Sequence, residues 1–307
     1  MRRNSRCVVF AHYDRDGFVD EYVLCYLRSL AEVSERIVFV TTGGISPADE
    51  RRVLDVCWKV ISRDNKGYDF LSYKYGIKLL ESECYDELLL CNDSVYGPLT
   101  SLGQMFARMH AVPCDYWGIT ESYAHSWHLQ SYFLVFRKNV VESQFFTEFW
   151  ANVKVESTKR DVIDKYEVGL SRALRMAGFH GKAYVGYKPT IKELFSAYTK
   201  LITRRRFFSR MQRLVSDSTA GGKAQFKVPG KALWSVYRRL NPTHFFWRST
   251  IRRAGMPFIK VELLRDNPEN INISDYRCVI EKYCNYDAGI IERHLDRMKY
   301  SDRERKQ

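Results

Sequence analysis

Short apolar runs alternate with stretches of helical spacing through the first 190 residues. CVVFAHY (7–13) and RIVFVTT (36–42) are continuous apolar runs of strand length, the second ending in Gly43-Gly44. Between them Val19, Tyr22, Val23, Tyr26, Leu27 and Leu30 recur at three- and four-residue steps, which predicts a helix over 19–34. A helix over 48–56, a strand at WKVISR, a helix over 68–82 and a strand over 85–93 follow. HLQSYFLVFRK (128–138) reads as a later strand. Leu170, Leu174 and Ala177 mark one face of a helix with Glu167 near its start. Strands that are apolar throughout and separated by helices predict an α/β domain, a mainly parallel sheet sandwiched by helices.

The pattern changes after residue 190, and the chain divides there into a domain over 1–190 and a helical, basic C-terminal region over 191–307. The stretch 201–240 holds ten Lys and Arg against the single acid Asp217, interleaved with Phe207, Phe208 and Met211. SDSTAGGK (216–223) reads as a flexible break within it. The 307 residues are 45% hydrophobic and 28% charged, ordinary globular proportions that exclude a collagenous or disordered chain. No apolar run approaches the ~20 residues of a membrane-spanning helix, and the one near the N-terminus is too short for a signal-peptide core. The eight cysteines form no C-x-x-C pair, which predicts core thiols in a reduced, cytoplasmic compartment and gives no zinc spacing. A net charge of +13 points to an anionic partner without saying which.

Ligands of parallel sheets bind beyond the carboxyl ends of the strands. The residues that follow the predicted strands are polar: His12-Tyr13-Asp14, Thr41-Thr42-Gly43, Arg63 to Gly67, and Asn92-Asp93-Ser94. Four such loops are expected to converge on one sheet edge. Asp93, delivered by the buried strand YDELLLCND, could hold a divalent cation or accept from a ribose hydroxyl; a reaction that releases a diphosphate needs its growing charge stabilised. In RDNKGYDF, Asn65 and Gly67 let the backbone turn tightly, and Arg63 and Lys66 can meet phosphate. Tyr13 is placed to stack on a base. Trp117-Gly118 follows Asp115, the later strand opens with His128 and Gln130, and Glu167 at a helix start can serve as a general base.

The order of these pieces is similar to that of the GT-A family of nucleotide-sugar glycosyltransferases. It runs from a strand with a polar loop through R-x-N-x-G-x-D (63–69), a strand ending in an acidic turn and W-G (117–118) to a carboxylate three residues before a Leu in EVGLSRALRMAGF. More narrowly, the segments VVFAHYDRDGFVDEYVLCYLRSL, RDNKGYDFLSYKYGI, YDELLLCNDSVYGPL, DYWGIT, HLQSYFLVFRK and NPTHFFWRSTIRRAGMPFIKVELLRDNP resemble the rhamnan synthesis protein F family over most of the chain. The resemblance implies a GT-A-like fold and a bacterial cell-surface polysaccharide enzyme, an inverting rhamnosyltransferase using dTDP-L-rhamnose. It places Asp93 at the donor-diphosphate or metal position, with Mg2+ or Mn2+ as the ion, and Glu167 at the catalytic base. It puts Asp69 in the donor loop with Arg63, Asn65, Lys66 and Gly67, and His12, Tyr13, Asn92 and Ser94 around the donor. The acceptor it implies is a lipid-linked glycan at the cytoplasmic face of the inner membrane, approaching from the side of Trp117, His128 and Gln130. TRRRFFSRMQRLV (203–215) could lie on that anionic surface. Two positions depart from the GT-A pattern. Asn92 stands where D-x-D has an acid, and the second strand ends in Thr41-Thr42 without the acid often offered to the base.

Other readings fit less of the chain. Asp14-Arg15-Asp16-Gly17 with Thr41-Thr42 mimics a haloacid dehalogenase phosphatase, but His12 and Tyr13 displace Asp14 from the apolar strand. A non-catalytic scaffold in polysaccharide assembly is a further reading, which an activity assay separates from the transferase. A nucleic-acid binder explains the charge and none of the loop residues.

Overall fold

A computed structural model describes residues 5–203, 237, 238 and 240–304. The first four strands are β1 (Arg6–Tyr13), β2 (Arg36–Thr42), β3 (Lys59–Arg63) and β4 (Glu87–Asn92). They alternate with α1 (Glu21–Ala31), α2 (Pro47–Leu54) and α3 (Tyr68–Leu80). Later strands are β5 (Val95–Tyr96), β6 (Tyr116–Ser122), β7 (His128–Leu129), β8 (Phe133–Arg137), β9 (Gly181–Val185) and β10 (Ile259–Lys260). The main sheet has the order β3-β2-β1-β4-β8-β6-β7, with β9 beside β6. The pairs β3–β2, β2–β1, β1–β4 and β6–β9 are parallel, whereas β8 runs against both β4 and β6. The fold is therefore of the α/β class expected, a mostly parallel mixed sheet flanked by helices.

Successive side chains of a strand face opposite sides of the sheet, and both sides are covered here. Val8, Phe10, Phe39, Leu89 and Cys91 join the core under α1; Val9, Ala11, Val38, Val40, Leu88 and Leu90 join the one under α3. This is why β1, β2 and β4 read as unbroken apolar runs. HLQSYFLVFRK is not one strand. It breaks after Leu129, and the bend at Gln130–Tyr132 separates β7 from β8.

The C-terminal region is no appendage. Trp247, Ile251, Phe258, Leu263, Ile280 and Ile291 belong to the same core cluster as Val8 and Phe10, so no break in the core marks residue 190. β10 pairs antiparallel with β5, and Arg297 of the helix Ala288–Glu304 reaches Asp14 at 2.5 Å and Asp20 at 3.0 Å beside the end of β1. Of the ten cations counted between 201 and 240 only Arg238 lies among the described residues; TRRRFFSRMQRLV from Arg204 onward and the break at 216–223 lie outside them. No described helix is long and apolar enough to cross a membrane. All eight cysteines are free, Cys84 and Cys278 of them exposed.

One buried histidine gives the fold a measurable acid sensitivity. His244 is buried in the helix Pro242–Phe245, with Nε2 lacking a hydrogen-bond partner and 3.8 Å from Glu262. Burial lowers its pKa to about 4 from the ordinary 6.5. The unfolded chain thus takes up this proton first as pH falls, so this stability is present above pH 6.5 and lost between 6.5 and 4. His244→Gln removes the titration. The stability difference between wild type and variant, from urea unfolding at pH 7 and pH 4.5, is expected to shift by roughly 2 kcal/mol in the variant's favour. A difference that stays constant between the two pH values would mean that His244 is not held neutral.

Candidate active site

A cleft of about 700 Å³ opens at the carboxyl ends of β1 and β4. The chain winds from β1 outward to β2 and β3, then returns across β1 to place β4 on its other side. That reversal is a topological switch point, where the loops part and leave a crevice. Asp93 and Glu167, 74 positions apart (167 − 93), both line this cleft. Asp69, Tyr13, Ser131 and Lys260 line it with them.

Asp93 follows directly on β4. Its Oδ2 accepts from the Tyr13 backbone N–H at 2.8 Å and lies 3.9 Å from His12 Nε2, and 15% of the side chain is exposed. Burial, reinforced by the negative Asp69 and Asp14, pushes its carboxyl well above the usual range. Asn92 takes up the space a second acid would fill. Its Nδ2 donates to Asp69 Oδ2 at 2.7 Å, and its Oδ1 accepts from Ser94 N–H at 3.1 Å and Ser94 O–H at 2.6 Å. Asp69, at the start of α3, is likewise raised by burial, which the Asn92 hydrogen bond only partly offsets.

Glu167 closes a five-residue π-helical turn, Ile163–Glu167, that runs into the helix α8 (Val168–Met176). Such turns re-aim a side chain and recur at functional sites. The bend between β7 and β8 offers Ser131 to it: Oε2 accepts from the Ser131 backbone N–H at 2.9 Å and from the Ser131 hydroxyl. His128 Nε2 stands 3.5 Å from Oε1, while His128 Nδ1 meets the Ser126 carbonyl at 2.9 Å. With Nδ1–H on a carbonyl, only a protonated ring also offers a proton to Glu167. Burial opposes that charge, but Glu167 and the carbonyl raise the His128 pKa overall. Burial would likewise raise Glu167, yet His128 and Ser131 hold it below its ordinary value, so it stays ionised and able to accept a proton.

Seven of the anticipated residues line the cleft: Tyr13, Asp69, Asn92, Asp93, Ser94, Gln130 and Glu167. The others do not. Arg63 is spent on its own loop, donating to the carbonyls of Asp64 (2.9 Å), Lys66 (2.5 Å) and Tyr68 (2.7 Å) and to Ser72 Oγ. Lys66 is exposed 3.7 Å from Asp64, and neither it nor Asn65 borders the cleft. Gly67 does supply a tight turn, at φ +75°, but for the start of α3 and not for a ligand. This loop follows β3, two strands away from β4. His12 is buried beneath the floor, its Nδ1 on Thr41 Oγ1 at 3.0 Å, and burial lowers its pKa to about 4. Trp117 is wholly buried inside β6 against Phe106 and Phe133, out of reach of any acceptor. His128 is buried behind Glu167 and positions it. Of the four loops expected to converge, those after β1 and β4 line the cleft.

Asp14 is engaged by Arg297 and by the backbone N–H groups of Asp16 (2.9 Å) and Phe18 (3.1 Å). The D-x-D-G stretch is a turn anchored to the C-terminal helix. Among the described residues no three His, Cys, Asp or Glu side chains form a metal-binding group. Asp93 and Asp69 would give Mg2+ or Mn2+ two carboxylates, with phosphate and water completing the shell, an arrangement Mg2+ accepts.

Sequence reasoning missed Lys260, Lys159, Ser131 and Arg265 of the cleft. For Lys260 a signal existed: a lone cation inside the apolar run PFIKVELL is a charge the fold must bury.

The family model described as rhamnan synthesis protein F matches residues 37–207. The virulence protein VirA of Vibrio anguillarum is 30% identical over 277 residues, 87% of this chain and 82% of that protein. Among solved structures, a cytidylyltransferase from Leptospira borgpetersenii has a TM-score of 0.36 at 8% identity, covering 72% of this chain and 99% of that one. The inositol-1-phosphate CTP transferase from T. maritima has a TM-score of 0.35 at 14% identity, covering 59% and 85%.

Proposed function

Since the chain belongs to the rhamnan synthesis protein F family, we propose that it is an inverting rhamnosyltransferase moving L-rhamnose from dTDP-L-rhamnose to a lipid-linked glycan. The coarser class is that of a nucleotide-sugar transferase of polysaccharide synthesis. The family description supports the sugar. The observation that carries the chemistry is that Asp93 and Glu167 line one cleft at the switch point of the sheet.

The donor would lie across the ends of β1 and β4, its nucleoside near the exposed ring of Tyr13 and its sugar between Asp93 and Glu167. Asp69 and Asp93 would accept from donor hydroxyls, or hold Mg2+ or Mn2+, which when bound supplies positive charge to the diphosphate. Glu167 would take the proton of the acceptor hydroxyl as that oxygen bonds to the anomeric carbon. The bond from that carbon to the diphosphate oxygen breaks, its electron pair leaving with the nucleoside diphosphate. Fixing both substrates and the base in one cleft lowers the entropic barrier, and the base adds its own factor. The basic stretch TRRRFFSRMQRLV supports contact with the cytoplasmic face of an anionic membrane, at about 1 kcal/mol per cation near the surface.

A donor screen tests this reading. The full chain, mixed with dTDP-rhamnose, UDP-, GDP- and CMP-sugars and a lipid-linked acceptor extract, is expected to release dTDP from dTDP-rhamnose and rhamnosylate the acceptor. Release from another donor would move the specificity; release from none would refute the transferase.

A further inference from the structure

The cleft contains a recessed cation that the C-terminal region supplies. Lys260 closes β10, and its register partner on β5 is Val95. The Val261 backbone N–H donates to the Ser94 carbonyl at 3.0 Å, and Lys260 Nζ lies 3.4 Å from Ser94 Oγ. A residue 166 positions away in sequence is thereby locked beside the turn that carries Asp93. Its ammonium sits 3.9 Å from the centre of the Tyr132 ring, a cation–π contact that holds the charge in place.

The arginines in and beside the cleft are engaged. Arg265 pairs with Asp266 at 2.7 Å, Arg297 with Asp14 and Asp20, and Arg15 donates to the Met298 carbonyl at 3.1 Å. Lys159 is exposed. Lys260 is recessed, and among the described residues no carboxylate oxygen lies within 4 Å of its Nζ. A cation withdrawn from water without an anion is costly. Burial accordingly pulls its pKa down to about 8, although Glu167, Glu262 and Asp69 act to raise it.

We propose that Lys260 binds the diphosphate of the nucleotide-sugar donor and carries its charge as the glycosidic bond breaks, so that the C-terminal region completes the active site. The proposal rests on the transferase reading above and gives it a contact that Arg63 and Lys66, turned into their own loop, do not make. Lys260 exchanges no atom in the step. The electron pair of the breaking bond stays on the diphosphate oxygen, the acceptor's proton passes to Glu167, and the ammonium stabilises the charge left on the leaving group.

The test is calorimetric titration of dTDP, UDP, GDP and CDP, and of the matching nucleosides, into the full chain in EDTA. The wild type is expected to bind one diphosphate. Lys260→Met should weaken that binding at least tenfold, leave the nucleoside's affinity unchanged, and leave the melting temperature unchanged or higher, because a desolvated charge has been removed. Lys260→Arg should stay within a few fold of wild type. Undiminished binding by K260M would overturn the assignment, and so would a K260M protein that loses affinity together with several degrees of melting temperature, which marks a packing residue. Wild-type binding that needs Mg2+ and vanishes in EDTA would give the diphosphate to a metal and overturn it as well. No binding of any diphosphate, with or without Mg2+, would instead refute the transferase reading on which it rests.

Discussion

Glu167→Gln is expected to lower turnover by about 10²- to 10⁴-fold, the usual contribution of a general base. The substitution keeps the shape and can keep an oxygen on Ser131, whose backbone N–H donates at 2.9 Å. It removes the proton acceptor. It also removes the charge that raises His128, so the imidazole pKa should fall back as burial prevails. Two measurements separate the catalytic role from a structural one. Calorimetry with the nucleoside diphosphate should give the same affinity in both proteins, because the base acts on the acceptor. NMR titration of the imidazole should show a lower His128 pKa in the variant. A variant that transfers sugar at the wild-type rate would take the base role from Glu167.

Gly97→Ala is expected to cost stability on the order of 3 kcal/mol or more and to weaken diphosphate binding with it. Gly97 follows β5 at φ +142°, a conformation L side chains rarely adopt. A Cβ there would stand 2.6 Å from the Pro257 carbonyl oxygen and 2.7 Å from the Phe258 ring. Backbone cannot yield as the end of a flexible side chain would. That carbonyl also accepts the Leu99 N–H at 2.7 Å, so pushing it away breaks a hydrogen bond. The segment displaced is the one that leads into β10 and carries Lys260 beside Ser94. Urea unfolding measures the stability, and hydrogen exchange over 257–261 should show that pair opening first. A Gly97→Ala protein as stable as wild type, with protected amides there, would show that the close approach is not required.

What could be read along the chain, and what could not, follows from the range of each signal. β1, β2 and β4 were legible because both faces of each are buried, which makes every position apolar. Asp93 was legible because a buried strand must stop somewhere, and the first polar residues after it lie at the sheet edge. His12 and Tyr13 look equivalent in sequence, yet successive side chains point to opposite faces. One becomes floor, bonded to Thr41, and the other borders the cleft. Arg63 and Lys66 follow a strand as plausible as β4, but β3 lies at the margin of the sheet. Trp117 was placed on the acceptor side, and it is a core residue of β6.

By itself the sequence determined the class of fold, the strands and helices of its first half, the polar residues offered at strand ends, and the carboxylate at the head of α8. These rest on local periodicity and burial, which each segment carries in its own residues. The tertiary structure decided that β1 and β4 are neighbours, that β8 runs against them, and that Ser131 and His128 stand on Glu167. It also decided that Lys260 crosses to Ser94. Those choices depend on which apolar faces find each other over long sequence separations, and a one-dimensional pattern of apolar and polar positions does not encode the pairing.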